Sequence, residues 1–250
     1  MLNRRFLVLA AGSLLVATSA QAWSLGTWGN ETVKGSGEIT SEIRNVGQFD
    51  AISLAGDFAV TVRQTNSPRV EVRTDRNLQA LLETQVIEGR SGRYLSIRAR
   101  KGINLAGSSR PQLVVDLPVL SSIEMGGSGL MRIEAFKTPS VSVTLGGSGD
   151  IVFDHLESDT LSVGLGGSGT VKASGKVNTL RASVAGSGDF KARELVAAEA
   201  SLSVTGSGDV EVQATKTLRA SIAGSGDVGY VGAPELSVSV AGSGRVRKLN

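Results

Sequence analysis

Val141-Ser142-Val143-Thr144-Leu145-Gly146-Gly147-Ser148-Gly149-Asp150-Ile151-Val152-Phe153 holds the fold in miniature: apolar side chains at every second position, a glycine-rich tetrad, then a second alternating run. Period two marks a strand with one buried and one wet face. From residue 127 onward Gly-Ser-Gly recurs seven times, with glycine pairs 127/129, 147/149, 167/169, 186/188, 206/208, 224/226 and 242/244, at intervals of 20, 20, 19, 20, 18 and 18 residues. Each unit therefore reads as strand, glycine turn, strand and return. A propeller blade needs roughly 40 residues, and no unit carries a helix-length apolar pattern. The period fits one coil of a parallel β-solenoid, whose stacking buries a continuous apolar column that no single coil could hide. The regular part, 121–250, then holds about six or seven coils, roughly 30 Å tall at ~4.8 Å per coil.

The turn glycines, Gly127, Gly129, Gly147, Gly149, Gly167, Gly169, Gly186, Gly188, Gly206, Gly208, Gly224, Gly226, Gly242 and Gly244, are expected where stacked corners bring backbones together. The serine between them is expected to bond its hydroxyl to turn amides. Upstream, 31–120 is less repetitive but strand-like, as in Ala59-Val60-Thr61-Val62 and Gln112-Leu113-Val114-Val115. Only Arg76 to Glu83, with Leu78, Leu81 and Leu82, has the spacing of one or two helical turns. No linker divides the halves, so 33–250 reads as one all-β domain after a flexible lead-in, 23–32.

Residues 1–22 have the three parts of a secretory signal: Arg4-Arg5, an apolar run from Phe6 to Ala17, and small residues ending at Ala22. Cleavage after Ala22 and export to the periplasm or cell surface are the expectation. The run is shorter than the roughly 20 residues that span a bilayer, and no later segment is long enough. With no cysteine in 250 residues, thiol chemistry, disulfides and a lipid-anchored cysteine are excluded, and the single histidine, His155, cannot build a multi-histidine zinc site. A net charge of +3 makes duplex nucleic acid a poor partner.

Gly35-Ser36-Gly37, Phe49-Asp50-Ala51-Ile52, Gly56-Asp57-Phe58, Asn77-Leu78 and Leu117-Pro118-Val119-Leu120, followed by the Gly-Ser-Gly-Asp-Val series, occur in an order that resembles the head GIN domain family, bacterial exported proteins described as auto-transporter adhesins. The resemblance covers nearly all of the chain after the signal. It implies a right-handed, all-β solenoid at the cell envelope and supplies no catalytic residues. The chain departs from the aspartate-bearing repeat at Leu130, Thr170 and Arg245.

Asp150, Asp189, Asp209 and Asp227 follow the turns and should stack coil on coil, where like charges need compensation. Calcium is one answer, but the spacing misses the calcium-binding nonapeptide repeat by one residue and by period. The preferred reading is that each aspartate caps its own turn by accepting backbone amides. Gly224-Ser225-Gly226-Asp227-Val228-Gly229 matches a dinucleotide fingerprint only by coincidence, since it opens no helix. His155 reads as a solvated residue in a return loop between coils. The one charge cluster, Arg90, Arg93, Arg98, Arg100, Lys101 and Arg110, includes a strand whose outward side presents Tyr94, Ser96, Arg98 and Arg100. Arg90, Arg93, Tyr94, Arg98, Arg100 and Lys101 are the candidate ligand stripe for an anionic polysaccharide, against the alternative of a charged edge that resists strand pairing. Arg245, Arg247 and Lys248 read as a charged cap that prevents end-to-end stacking. The resulting expectation is a non-enzymatic envelope protein that binds glycan or an envelope protein through its surface. A calcium-stabilised structural module comes second and a carbohydrate-active enzyme third.

Overall fold

The computed structural model describes residues 31–89 and 92–250. The expected signal, 1–22, most of the expected lead-in and Arg90 lie outside the described residues. The described part begins with β1 (Glu31–Lys34) and β2 (Ile39–Arg44), then forms a coil from β3 (Ala51–Ala55) and β4 (Ala59–Gln64). It reverses into β5 (Arg69–Asp75), crosses the base as a 3₁₀ helix (Arg76–Leu81), and continues through β6 (Leu82–Gly89), β7 (Gly92–Ala99), β8 (Ile103–Ala106) and β9 (Gln112–Leu117). Above these come β10 (Ser122–Gly126), β11 (Leu130–Leu145), β12 (Asp150–Leu165), β13 (Thr170–Gly186), β14 (Asp189–Gly206), β15 (Val210–Gly224), β16 (Val228–Val231), β17 (Glu235–Gly242) and β18 (Val246–Lys248).

From β10 upward every pairing is parallel, and the stacked coils form a β-solenoid of about 6 turns. Each long strand turns two corners. In β11 the burial alternation breaks at Glu134-Ala135 and again at Pro139-Ser140, where two consecutive residues are exposed. The ladder to β12 is interrupted at Glu134 and Pro139 in the same places. A proline fits there because no ladder amide is lost. The result is three sides per coil: a first side after the glycine turn (130–133), a short side (135–138) and a long side (140–145). The return between coils is thus a paired strand instead of a loop, and His155 sits on it opposite Ala135.

Valine, leucine and alanine fill the interior in columns. On the long side Val141, Val143 and Leu145 lie under Leu161, Val163 and Leu165, and so on to Leu218, Ala220 and Ile222, all buried. Each buried leucine or valine contributes about 1.5–3 kcal/mol relative to exposure. The turn glycines are sterically required. A Cβ at Gly127 would lie 2.8 Å from the Gly56 carbonyl oxygen, and one at Gly167 would run into the Gly147 carbonyl. The bond that joins the turns comes from the serine backbone, not from its hydroxyl: the Ser148 amide donates to Gly127 O at 2.9 Å, and Ser207 repeats this to Gly186 O at 2.9 Å.

The base is built differently. β3 is paired below β10, yet β7 lies below β3, so the long-side order is β10-β3-β7 and a later strand sits beneath an earlier one. Likewise β11 rests on β4 and β4 on β9. Antiparallel strands then close the floor, β6 against β7 and β5 against β9, with β2 outside β5. The helical spacing expected for Arg76 to Glu83 yields a 3₁₀ helix that stops at Leu81, because Leu82 and Glu83 enter the β6 ladder. Its Asn77 bonds both Ser36 N and Lys34 O, and Gln79 bonds Thr40 O and Val72 O. Buried Asp75 accepts from Gly37 N at 2.6 Å, Ser108 N at 2.9 Å and Ser108 Oγ at 2.9 Å. Burial opposes its ionisation, but these donors outweigh it and hold the carboxyl below its ordinary value. Arg63 meets buried Asp116 through two bonds of 2.8 and 3.0 Å.

Candidate functional site

The long side carries the most regular exposed surface. Strand alternation puts Val141, Val143, Leu145 and their equivalents inside and leaves two outward columns. One column runs Tyr94, Ala51, Ser122, Ser142, Ser162, Arg181, Ser201, Arg219, Ser237. The other runs Ser96, Ser53, Glu124, Thr144, Gly164, Ser183, Ser203, Ser221, Ser239. Neighbouring members are one strand apart, about 4.8 Å. Small hydroxyl side chains keep the sheet flat and line it with groups that both donate and accept hydrogen bonds. A depression of about 530 Å³ lies between Tyr94, Gly89, Gly92, Ser53, Ser122 and Ser142. A second, about 430 Å³, continues from Ser142 across Ser162, Arg181 and Ser203, so the two make one trough with an aromatic ring at its lower end. The trough is open and shallow.

The charge cluster read from the sequence divides around this trough. Tyr94 and Arg98 project onto the long side as expected from β7 alternation, with Leu95 and Ile97 buried behind them. Arg98 pairs with Glu83 at 3.2 Å, Arg93 with Glu88 at 3.9 Å and Arg110 with Asp57 at 2.9 Å. Arg100 follows the strand end, where its guanidinium donates to Ala80 O at 2.7 Å and lies 3.9 Å from Glu83. Lys101 is exposed in the turn that follows. These pairs are about half exposed, a setting in which each contributes little to stability and an anionic ligand can compete for the guanidinium.

The aspartates cap differently from the expectation. Asp189 Oδ1 accepts the amide of Asp209 at 3.3 Å, Asp209 Oδ1 that of Asp227 at 2.9 Å, and Asp227 Oδ1 that of Arg245 at 2.9 Å. Asp189, Asp209 and Asp227 therefore each bond the equivalent residue of the next coil, not their own turn. In the lower coils this amide instead reaches a glycine carbonyl, as Asp150 N to Gly129 O and Thr170 N to Gly149 O. The upper peptides are oriented the other way, with Phe190 N donating to Asp209 O, and the side chain takes over the freed amide. Among the described residues no three acidic or imidazole side chains converge as metal ligands.

His155 is exposed on the short side, 3.6 Å from Glu157, which Lys137 approaches to 3.2 Å. Lys137 first, then His155, holds the Glu157 carboxyl below its ordinary range. The end of the solenoid is not the uniform charged cap that Arg245, Arg247 and Lys248 promised. These three lie at the last corner and on the first side, whereas Leu236, Val238 and Val240 of β17 remain 44, 46 and 42 % exposed on the long side. Among the described residues no strand covers them there.

The sequence matches the family model described as "Putative auto-transporter adhesin, head GIN domain" over residues 48–234. Among solved structures, one described as a "Putative lipid binding protein" from Parabacteroides distasonis is 27 % identical, covers 88 % of this chain and 100 % of its own, and has a TM-score of 0.75. A "putative adhesin" from Bacteroides fragilis, 22 % identical, covers 87 % of this chain and 100 % of its own with a TM-score of 0.81 and shares the fold. Another "putative adhesin", from Parabacteroides merdae, is 20 % identical over 88 % of this chain and 100 % of its own, with a TM-score of 0.69. No curated protein matches.

Proposed function

We propose, for a chain that belongs to the head GIN domain family, a non-enzymatic attachment role at the cell envelope after export, exercised by binding an extended glycan along the long side. The observation that carries this reading is the register of the hydroxyl columns: one Ser or Thr per coil per column for most of the stack, at the ~4.8 Å strand spacing. A polymer with repeated hydroxyls meets donors and acceptors at regular intervals along such a face. Tyr94 at the lower end offers a ring for stacking on a sugar, and Arg98, Arg181 and Arg219 offer guanidinium forks for carboxylated or sulfated residues. Arg93, Arg100 and Lys101 extend the positive field beside the trough. The openness of the trough and the lack of a convergent acid–base pair there favour binding over turnover.

The test is binding of the purified chain to an array of bacterial and host glycans at low and physiological salt, with phospholipid vesicles as the competing ligand. Tyr94→Ala together with Ser142→Val and Ser162→Val should reduce glycan retention at least roughly tenfold, the loss of one stacking contact and two hydrogen bonds. Arg93, Arg98 and Arg100 changed to Ser should remove the salt-sensitive part. Retention by vesicles alone, or retention unchanged in both variants, would overturn the glycan reading.

A further inference from the structure

Among the described residues β17 is the last strand of the long side, and all eight of its residues are exposed. Its inner positions, Leu236, Val238 and Val240, continue the buried column of Leu218, Ala220 and Ile222, and they account for three of the six large apolar side chains left exposed among the described residues. Among the described residues no strand pairs with its outer edge, and between Glu235 and Arg245 the side chains are all uncharged. An edge of this length without a lysine, proline or bulge inside it lacks the usual protection against strand addition.

We propose that this end docks a second copy of the chain through antiparallel pairing of β17 with β17 about a two-fold axis. A register centred on Val238 sets Leu236 opposite Val240 of the second copy, Val238 opposite its own counterpart, and Val240 opposite Leu236. All three side chains stay on the inner face of the sheet, as strand alternation demands. The charges agree with this direction. Glu235 begins the strand and Arg245 stands at the corner just beyond its end, so antiparallel pairing brings the acidic end of each copy toward the basic corner of the other. Parallel pairing would instead match like with like.

The shape of the end agrees as well. On the first side β18 rises one level above β16, while the short side stops at Gly232–Pro234, so the end is a step. Rotation about the normal to the β17 sheet places the high side of one copy over the low side of the other. Head-to-tail stacking meets an obstacle, because it would set β17 against β6, an antiparallel closing strand that carries Glu83, Gln85 and Glu88. Exposed Ile39 and Ile43 belong to β2, which closes a different side of the base and cannot reach β17 in such a stack. A strand of eight residues spans about 27 Å, so the contact falls below the standard size of about 800 Å² per partner, in the range of weak, transient association.

Because the chain has no cysteine, single cysteines report the register directly. Val238→Cys places two sulfurs across the axis, at a Cα separation that a disulfide accepts. Under mild oxidation it should give covalent dimers at least roughly tenfold faster than Ser221→Cys, which is exposed on the neighbouring strand but far from the axis. Sedimentation velocity of the unmodified chain should show a concentration-dependent monomer–dimer equilibrium. Val238→Lys should weaken it roughly 100-fold by opposing two like charges, with the melting temperature held or raised. A chain monomeric up to millimolar concentration, a dimer indifferent to Val238→Lys, or equal cross-linking at 238 and 221 overturns the proposal. So does a monomer whose β17 is filled by an unrelated extended peptide.

Discussion

The coils above β10 and the floor below it solve the same problem by opposite means. In the upper stack each strand lies on the strand one repeat earlier, and equivalent positions meet: turn glycine on turn glycine, outward residue on outward residue, apolar core residue on apolar core residue. At the floor no repeat partner is available for the lowest coil, so two strands reverse direction and polar side chains are buried in specific bonds, Asp75 to the Gly37 and Ser108 loops, Asp116 to Arg63, and Gln79 to two backbone carbonyls. Periodicity stabilises by repetition, whereas the floor depends on a few irreplaceable contacts. Substitutions should therefore act through sterics in the stack and through lost bonds at the floor.

The sharpest test is within one turn. Gly167→Ala drives a Cβ into the Gly147 backbone, which cannot retreat without separating two coils, and should cost about 4 kcal/mol or more in denaturant unfolding. Gly146→Ala, one residue before the equivalent glycine, meets nothing closer than 4.0 Å and should change stability by less than about 0.5 kcal/mol. Equal costs would mean that conformation, not close approach, selects the glycines. Next in size, Phe153→Ala removes a fully buried ring from a column continued above by Ala173 and should cost about 3–5 kcal/mol, because the small neighbour cannot fill the cavity.

Asp75 tests the floor. Its folded carboxyl lies below the ordinary value of 3.8, so its contribution is complete above that value and is lost as pH falls through the lower folded one. Hydrogen exchange at the Gly37 and Ser108 amides should accelerate in that acid window while the upper coils stay protected. Asp75→Asn should reproduce the local loosening at neutral pH. Uniform acceleration along the whole chain would break the distinction between floor and stack. The smallest effect belongs to the upper aspartates: Asp209→Ala frees the Asp227 amide and should cost about 1 kcal/mol, and a calcium chelator should leave the melting temperature unchanged.

The seven Gly-Ser-Gly motifs made the stack legible because every coil obeys one local rule. The serine columns were legible in the same segments, as Ser142, Ser162, Ser201 and Ser237 at matching repeat positions, but alternation alone labels them merely wet. Their meaning appears only when registers align them on one side. Two things were not legible. The β10-β3-β7 order depends on pairing between strands far apart in sequence, and no periodicity links Ala51–Ala55 to Tyr94–Arg98. Which amide an aspartate caps depends on a peptide orientation that differs between lower and upper coils with nearly identical sequences. The paired charges were partly hidden too, since Glu83 reaches Arg98 only through the β6–β7 hairpin.

The inverted order at the base also governs when the molecule can take shape. The β3–β4 coil is the first to leave the ribosome, yet its seat is made by β7 and β9 and its roof by β10 and β11. Its lower edge must wait for β7 and β9 and its upper edge for β10 and β11, whereas every later coil finds its template already in place. Long-range closure of this kind is slow and local propagation is fast. The base is thus the rate-setting event, and the coils above it add as a zipper does, each new turn registering on the one just completed.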